Sequence, residues 1–168
     1  RGINMVTLKT FDTQLGIVYS KHASGVLGKD YWIVKKEFKV EIDGDPNKFV
    51  IIPKGFLTDG ASVPRLFWSL LPPWGSYGQA VVLHDYLVES LSYDDNGSKI
   101  TIERKHADRI FNNAMQELGV NDLTRKAMYN AVRGYSKLVP FLKTKSYRKK
   151  WNLEIEILSV FERTGIWI

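Results

Sequence analysis

The chain has 168 residues, of which 44% are apolar, 12% aromatic and 25% charged, a mixture of globular type with enough length to bury a core and none of the bias of disordered or low-complexity segments. It has no cysteine, which excludes disulfides, thiolate metal sites and cysteine nucleophiles and leaves His22, His84 and His106 as the only imidazoles. The net charge of +6 is uneven, since residues 121–150 hold nine basic residues against the single acid Asp122.

Met5 reads as a natural start, so residues 1–4 are expected to be a processing remnant outside the fold. The first third reads as strands. Val6 to Phe11 and Tyr31 to Ile42 carry alternating or β-branched apolar residues, and Asp43-Gly44-Asp45-Pro46-Asn47 turns the second run into a hairpin with Lys48 to Ile52. Trp32, Val34, Phe38, Val40 and Ile42 share one face, with Lys36 the exception, which predicts a sheet covered on that side only. His22 stands in the polar stretch KHASG and is expected to be a solvated loop residue.

Beyond Pro53-Lys54-Gly55 the loop GFLTDGASVPR leads to a short apolar segment, Leu66 to Leu71, stopped by Pro72-Pro73. Ser76 and Gln79 have capping-box spacing and open a helix from Tyr77 to about Leu91. Tyr93 to Ser98 reads as a turn or loop. A helix from about Ile102 to Leu118 ends at Gly119, and another from about Leu123 to Lys137 places Ala127, Met128, Ala131, Tyr135 and Leu138 at helical spacing. LEIEILSVF alternates and is read as a strand, and the apolar GIWI after it is expected to dock on the body. The fold class expected is α+β: an N-terminal antiparallel sheet or hairpin, a cluster of three to four helices, and a short C-terminal strand. The expected organisation is one domain over 1–168, mainly β over 5–57, mainly α over 58–143, with 144–168 a tail packing on the body.

Three segments hold polar residues that packing alone does not require: TDGASVPR (58–65), LHDYL (83–87) and HADRIF (106–111). At 100° per residue, His84 falls at the centre of the apolar stripe formed by Tyr77, Ala80, Val81, Leu87, Val88 and Leu91, so its ring should be buried and must find a partner. Asp85 lies at the margin of that stripe. Asp108 lies at the margin of the next helix's stripe, Ala107, Phe111, Ala114, Met115 and Leu118, and antiparallel packing brings it to His84 or Asp85. A carboxylate that orients an imidazole makes it a competent general base, and the same pair equally well satisfies a buried ring and holds two helices in register. Asp59 and Ser62 come to the neighbourhood on a Gly60-containing loop, where Ser62 also suits a helix cap, and Asp59, Asp85 and Asp108 have the chemistry to hold a hard cation, calcium or magnesium, with Asp85 and Asp59 the metal ligands. His106 points away from Asp108 and is expected to be exposed, and Trp68, Trp74 and Tyr77 are expected to serve packing.

In this order the motifs resemble the phage and prophage family known as the domain of unknown function numbered 1353. The residues carrying the resemblance are Pro53, Gly55, Phe56, Thr58, Asp59, Ala61, Ser62, Val63, Pro64 and Arg65, then Pro72, Pro73, Gly75 and Tyr77, then Leu83 to Leu87, then Ala107, Asp108, Phe111, Met115, Leu118 and Gly119. Val88 stands where the family often has a tyrosine. The resemblance implies a phage origin. His-Asp followed by an Asp on the next helix is also similar to the helix pair of secreted phospholipase A-two enzymes, which implies His84 as base, Asp85 as metal ligand and Asp108 as orienter; the disulfides and the Gly-rich calcium loop of that fold are missing here.

Two functions are expected side by side. One is a hydrolase attacking an ester or amide of a host-envelope component, with His84, Asp108, Asp85, Asp59 and Ser62 in its site. The other is a non-enzymatic virion, tail-assembly or host-factor-binding protein in which the same residues are structural. Phage or host proteins and envelope components are the partners expected, in the host cytoplasm or on the virion. A nucleic acid met through residues 121–150 is the less favoured partner. No run reaches the roughly 18 apolar residues of a membrane span, and no secretion signal is read at the start.

Overall fold

The computed structural model describes residues 14–60, 74, 77–138 and 147–168. The expected strand Val6 to Phe11, the segment Leu66 to Leu71, Trp68, Ser76 and Ser62 lie outside the described residues. The chain runs β1 (Ile17–Tyr19), α1 (Lys21–Leu27), β2 (Trp32–Val34), β3 (Phe38–Ile42), β4 (Asp45–Ile52), β5 (Leu57–Thr58), α2 (Gly78–Ser90), β6 (Ser92–Asp95), β7 (Ser98–Thr101), α3 (Arg104–Glu117), α4 (Asp122–Leu138) and α5 (Arg148–Thr164). This is an α+β fold with two antiparallel sheets, one of order β1-β2-β5 and one of order β3-β4-β6-β7. No helix among the described residues is long and apolar enough to cross a membrane.

The β3–β4 hairpin forms where the turn residues place it. Asp43 and Gly44 both have positive φ, 54° and 68°, the backbone hand that a two-residue hairpin turn demands. Phe38, Val40 and Ile42 are buried while Lys39 and Glu41 are half-buried, so this sheet is covered mainly on one side. The run from Tyr31 to Ile42 is not one strand, however. It divides at Lys35, Lys36 and Glu37, and its halves join different sheets. Ile33 and Val34 are both fully buried, facing two separate apolar clusters, which a strand covered on one side cannot satisfy.

Four further expectations are corrected. KHASG is not a loop but part of α1, opened by Ser20, whose Oγ accepts from the Ala23 amide at 3.0 Å, and closed by Gly28 at φ 76°. Residues 93–98 are not a simple turn but belong to the β6–β7 hairpin around Asn96-Gly97, at φ 53° and 81°. Its strands are polar, and their pairing is supplied by β4, whose Lys48 and Phe49 lie opposite Asp95 and Asp94. Tyr135 does not line the core: it is 52% exposed, whereas Met128 and Val132 of α4 are buried. The expected C-terminal strand is the helix α5, because Leu153 and Ile157, four residues apart, are buried while the alternating Ile155 is exposed.

α2, α3 and α4 follow the expected spans, with Tyr77 at the N-cap of α2 but no side-chain capping bond there. Ala80, Val81, Val82, Leu83 and Leu87 are all buried, so α2 is covered almost all round. It packs with Ala107, Phe111, Ala114 and Met115 of α3 and with the β3–β4 sheet in the larger core. α5 closes the smaller core on Ala23, Tyr31, Ile33 and Leu57. Trp167 stacks on Phe161 at 3.9 Å and the Ile168 carbonyl accepts from Ser20 Oγ at 2.6 Å, so GIWI docks on the body as its composition predicts.

Candidate functional site

The burial of α2 on nearly every side turns His84 inward, and the ring is 2% exposed. It stacks on Phe111 of α3, with centroids 4.7 Å apart, and its Nε2–H donates to Asp108 Oδ1 at 2.7 Å. Asp108 is wholly buried, and a carboxylate with about four acceptor positions needs more than one imidazole there. The remaining donors come from α4: Arg133 reaches Oδ2 at 2.7 Å and Ser136 Oγ donates to the same oxygen at 2.8 Å. Arg104, at the start of α3, donates through Nε to Ser136 Oγ at 3.0 Å, extending the chain of hydrogen bonds to a half-buried position. The network therefore joins α2, α3 and α4 through one carboxylate.

Burial opposes ionisation of Asp108, but the hydrogen bonds from His84, Arg133 and Ser136 outweigh it and hold the carboxyl below its ordinary value. A depressed folded value means stability that is fully present above the unfolded carboxylate range, about pH 4, and lost as pH falls through the folded value. Acid unfolding followed by circular dichroism should thus show a steeper loss below about pH 4 in the native chain than in Asp108→Asn, which has no such proton to take up.

Asp85 does not join Asp108. It faces β5, where Thr58 Oγ1 donates to Asp85 Oδ2 at 2.5 Å. Asp59, next along the chain, pairs with Lys29 from the connection between α1 and β2. Asp59 and Asp85 thus flank Thr58, on the β5 side of α2, while His84 and Asp108 lie on the α3 side. Among the described residues no three His or acidic side chains are grouped so as to hold a metal ion. His22 is half-exposed on α1 against Glu156 at 3.2 Å, and His106 is half-buried beside Arg109, with Nε2 and Nη2 2.7 Å apart. Burial and the Arg109 guanidinium hold the His106 ring below its ordinary value.

A second polar cluster was not expected from the sequence. Lys150 of α5, 5% exposed, lies 2.8 Å from Glu89 of α2 and 2.6 Å from Glu154, and covers the Phe56 ring at 4.1 Å. Glu154 Oε1 also accepts from the Leu57 amide at 2.9 Å, which ties α5 to β5, and Trp151 Nε1 donates to Glu89 at 3.1 Å. Burial pushes the Glu89 carboxyl up despite Lys150 and Trp151, and burial with the nearby Asp59 charge pushes the Tyr31 hydroxyl up to about 12. The signal for this cluster was the i, i+4 spacing of Lys150 and Glu154, legible only once residues 148–164 are read as a helix. Arg133 and Ser136 were missed likewise, although their i, i+3 spacing on α4 gives them one flank.

"Uncharacterized protein y4jT" of Sinorhizobium fredii is 34% identical over 110 residues, covering 64% of this chain and 26% of that protein, so the chain spans about a quarter of that relative's length. No solved structure matches. The family described as "Protein of unknown function (DUF1353)" matches residues 32–132, which include Asp59, Ser62, His84, Asp85 and Asp108 but not α5. The chain belongs to this family.

Proposed function

We propose that the chain is a non-enzymatic binding protein, a virion or tail-assembly component or a binder of a host factor, in which His84 and Asp108 lock three helices around a rigid core. The phage setting comes from the family resemblance. One observation carries the structural role: His84 is 2% exposed and Asp108 not at all, so the pair sits where water and substrate do not reach it, with both carboxylate oxygens engaged by side chains of α2 and α4. A buried polar network satisfied in this way specifies one arrangement of its helices.

A second reading is favoured by the same carboxylate. Asp108, kept ionised by Arg133 and Ser136 and bonded to the imidazole, is the arrangement that orients a general base, and hydrolysis of an ester or amide of an envelope component would use it. His84→Asn separates the two. A lock predicts a melting temperature lowered by about 4–8 °C, from about 2 kcal/mol over a chain of this size, and no hydrolysis of ester or amide probes by the native chain above the His84→Asn level. Hydrolysis by the native chain that vanishes in His84→Asn while the melt is unchanged overturns the structural reading.

A further inference from the structure

The apolar alternation of LEIEIL leaves one residue that the packing of α5 does not use. Leu153 and Ile157 close the smaller core, but Ile155 is 68% exposed. At about 100° per residue, Arg148, Trp151, Asn152, Ser159 and Glu162 all fall within about 60° of Ile155, and all are exposed, so they form one open stripe opposite the buried face of the helix. On one flank of the stripe the chain turns to α1, where Lys149 Nζ donates to the Val26 carbonyl at 2.9 Å and Glu156 meets His22 at 3.2 Å. On the other flank Lys150 and Glu154 belong to the buried cluster with Glu89.

The centre of the stripe is an exposed apolar pair one turn apart. Trp151 is 47% exposed although its ring is already fixed, since its indole N–H donates to Glu89 at 3.1 Å and it stacks with Tyr147 at 6.1 Å. An aromatic anchor fixed before contact loses little side-chain freedom on binding. The ends of the stripe are opposite in charge. Arg148 opens it and Glu162 closes it about four turns later, and among the described residues neither has an ion-pair partner.

We infer that this face of α5 is a self-association surface, on which a second copy of the chain lays its own α5 antiparallel about a two-fold axis at Ile155. Arg148 and Glu162 lie seven residues on either side of Ile155, and Trp151 and Ser159 lie four. Antiparallel pairing therefore sets Ile155 against Ile155 of the second copy, Trp151 over the small Ser159, and Arg148 against Glu162, with each unlike contact made twice. Parallel pairing is disfavoured, because it sets Arg148 against Arg148 and Glu162 against Glu162. An anionic membrane is disfavoured by Glu162 in the stripe and Glu156 beside it. A contact built on one helix of 17 residues, about 25 Å long, falls below the standard interface size, so the dimer is weak, with a Kd on the order of 10–100 µM. The inference goes beyond the proposed function and stands whether His84 is structural or catalytic, because no residue of the stripe touches the imidazole.

The test is sedimentation equilibrium of the full chain from about 5 to about 300 µM at low salt, which should show monomer and dimer exchanging within that range. Ile155→Asp should leave monomer throughout. Arg148→Glu and Glu162→Arg should each weaken the dimer about tenfold, since the symmetry applies either change twice, and the two together should restore it to within about threefold of the native chain. Oxidation with diamide fixes the register. The chain has no cysteine, so Ile155→Cys carries a single thiol that faces its own copy across the axis and gives a disulfide-linked dimer, whereas Glu162→Cys faces Arg148 and does not. Circular dichroism confirms that each variant is folded; all the substituted positions are exposed, and the double charge reversal keeps the test intact if Ile155→Asp unfolds. A native chain that stays monomeric at about 300 µM, a dimer unaffected by Ile155→Asp, no recovery in the double reversal, or crosslinking of Glu162→Cys as fast as Ile155→Cys each overturns the inference.

Discussion

Asp108→Ala should be the most damaging single substitution at the helix junction, lowering unfolding stability by about 3–5 kcal/mol in a urea titration. The native carboxylate satisfies three donors from two helices: the His84 ring, the Arg133 guanidinium and the Ser136 hydroxyl. Truncation leaves the imidazole without its acid in a site 2% exposed, and leaves Arg133 without its counter-charge. Arg133 is 21% exposed and can turn toward water, which places the cost toward the lower end of that range. Arg104→Ala, at the outer end of the same chain of bonds, should cost well under half as much, because Arg104 is half-buried and Ser136 still bonds Asp108 without it. A loss below about 1 kcal/mol in Asp108→Ala would show that the network contributes nothing to holding the helices together.

The second large effect is expected at Lys150. Its ammonium group lies between Glu89 and Glu154 and is 5% exposed, so Lys150→Ala leaves two carboxylates facing each other without a cation and strips Phe56 of its cover. The expected loss is about 3 kcal/mol, with α5 the element released first. Lys150→Met, which keeps the apolar stem, should recover only the packing part. The pH dependence separates charge from packing. Burial already holds the Glu89 carboxyl above its ordinary value, and loss of the lysine pushes it further up. A group whose folded value exceeds its unfolded one stabilises the fold as pH falls through the folded value, so the deficit of Lys150→Ala should shrink as the pH is lowered from neutral toward the ordinary carboxylate range. Amide hydrogen exchange on α5 reads this directly, and a deficit independent of pH would assign the whole effect to lost packing.

Several features were legible in the chain because neighbours in sequence decide them. The α2 wheel turned His84 inward since the residues around it, Tyr77, Ala80, Val81, Leu87, Val88 and Leu91, form an apolar stripe, and the Asp43-Gly44 turn was readable from the backbone freedom it needs. The α5 segment misled because LEIEIL satisfies period two and a helical period alike over six residues; the core contact of Leu153 and Ile157 chooses between them. The β6–β7 hairpin had no apolar alternation to read, as β6 is held by the edge of β4 and the exposed β7 pairs with β6. The long strand expected over 31–42 failed for a similar reason, since the choice of partner strand at each end was made elsewhere in the chain.

Local pattern thus determined the elements α2, α3 and α4, the β3–β4 hairpin, the inward imidazole and the need for an acid to meet it. Tertiary structure alone decided that Asp108 meets His84 and not Asp85, that Arg133 and Ser136 complete it, and that Lys150 is buried between two glutamates. The physical reason is one of range. Periodicity and turn chemistry are set by residues a few positions apart, whereas a buried charge is tolerated only where partners 24, 25 and 28 positions away for Asp108, or 61 for Lys150, converge on it.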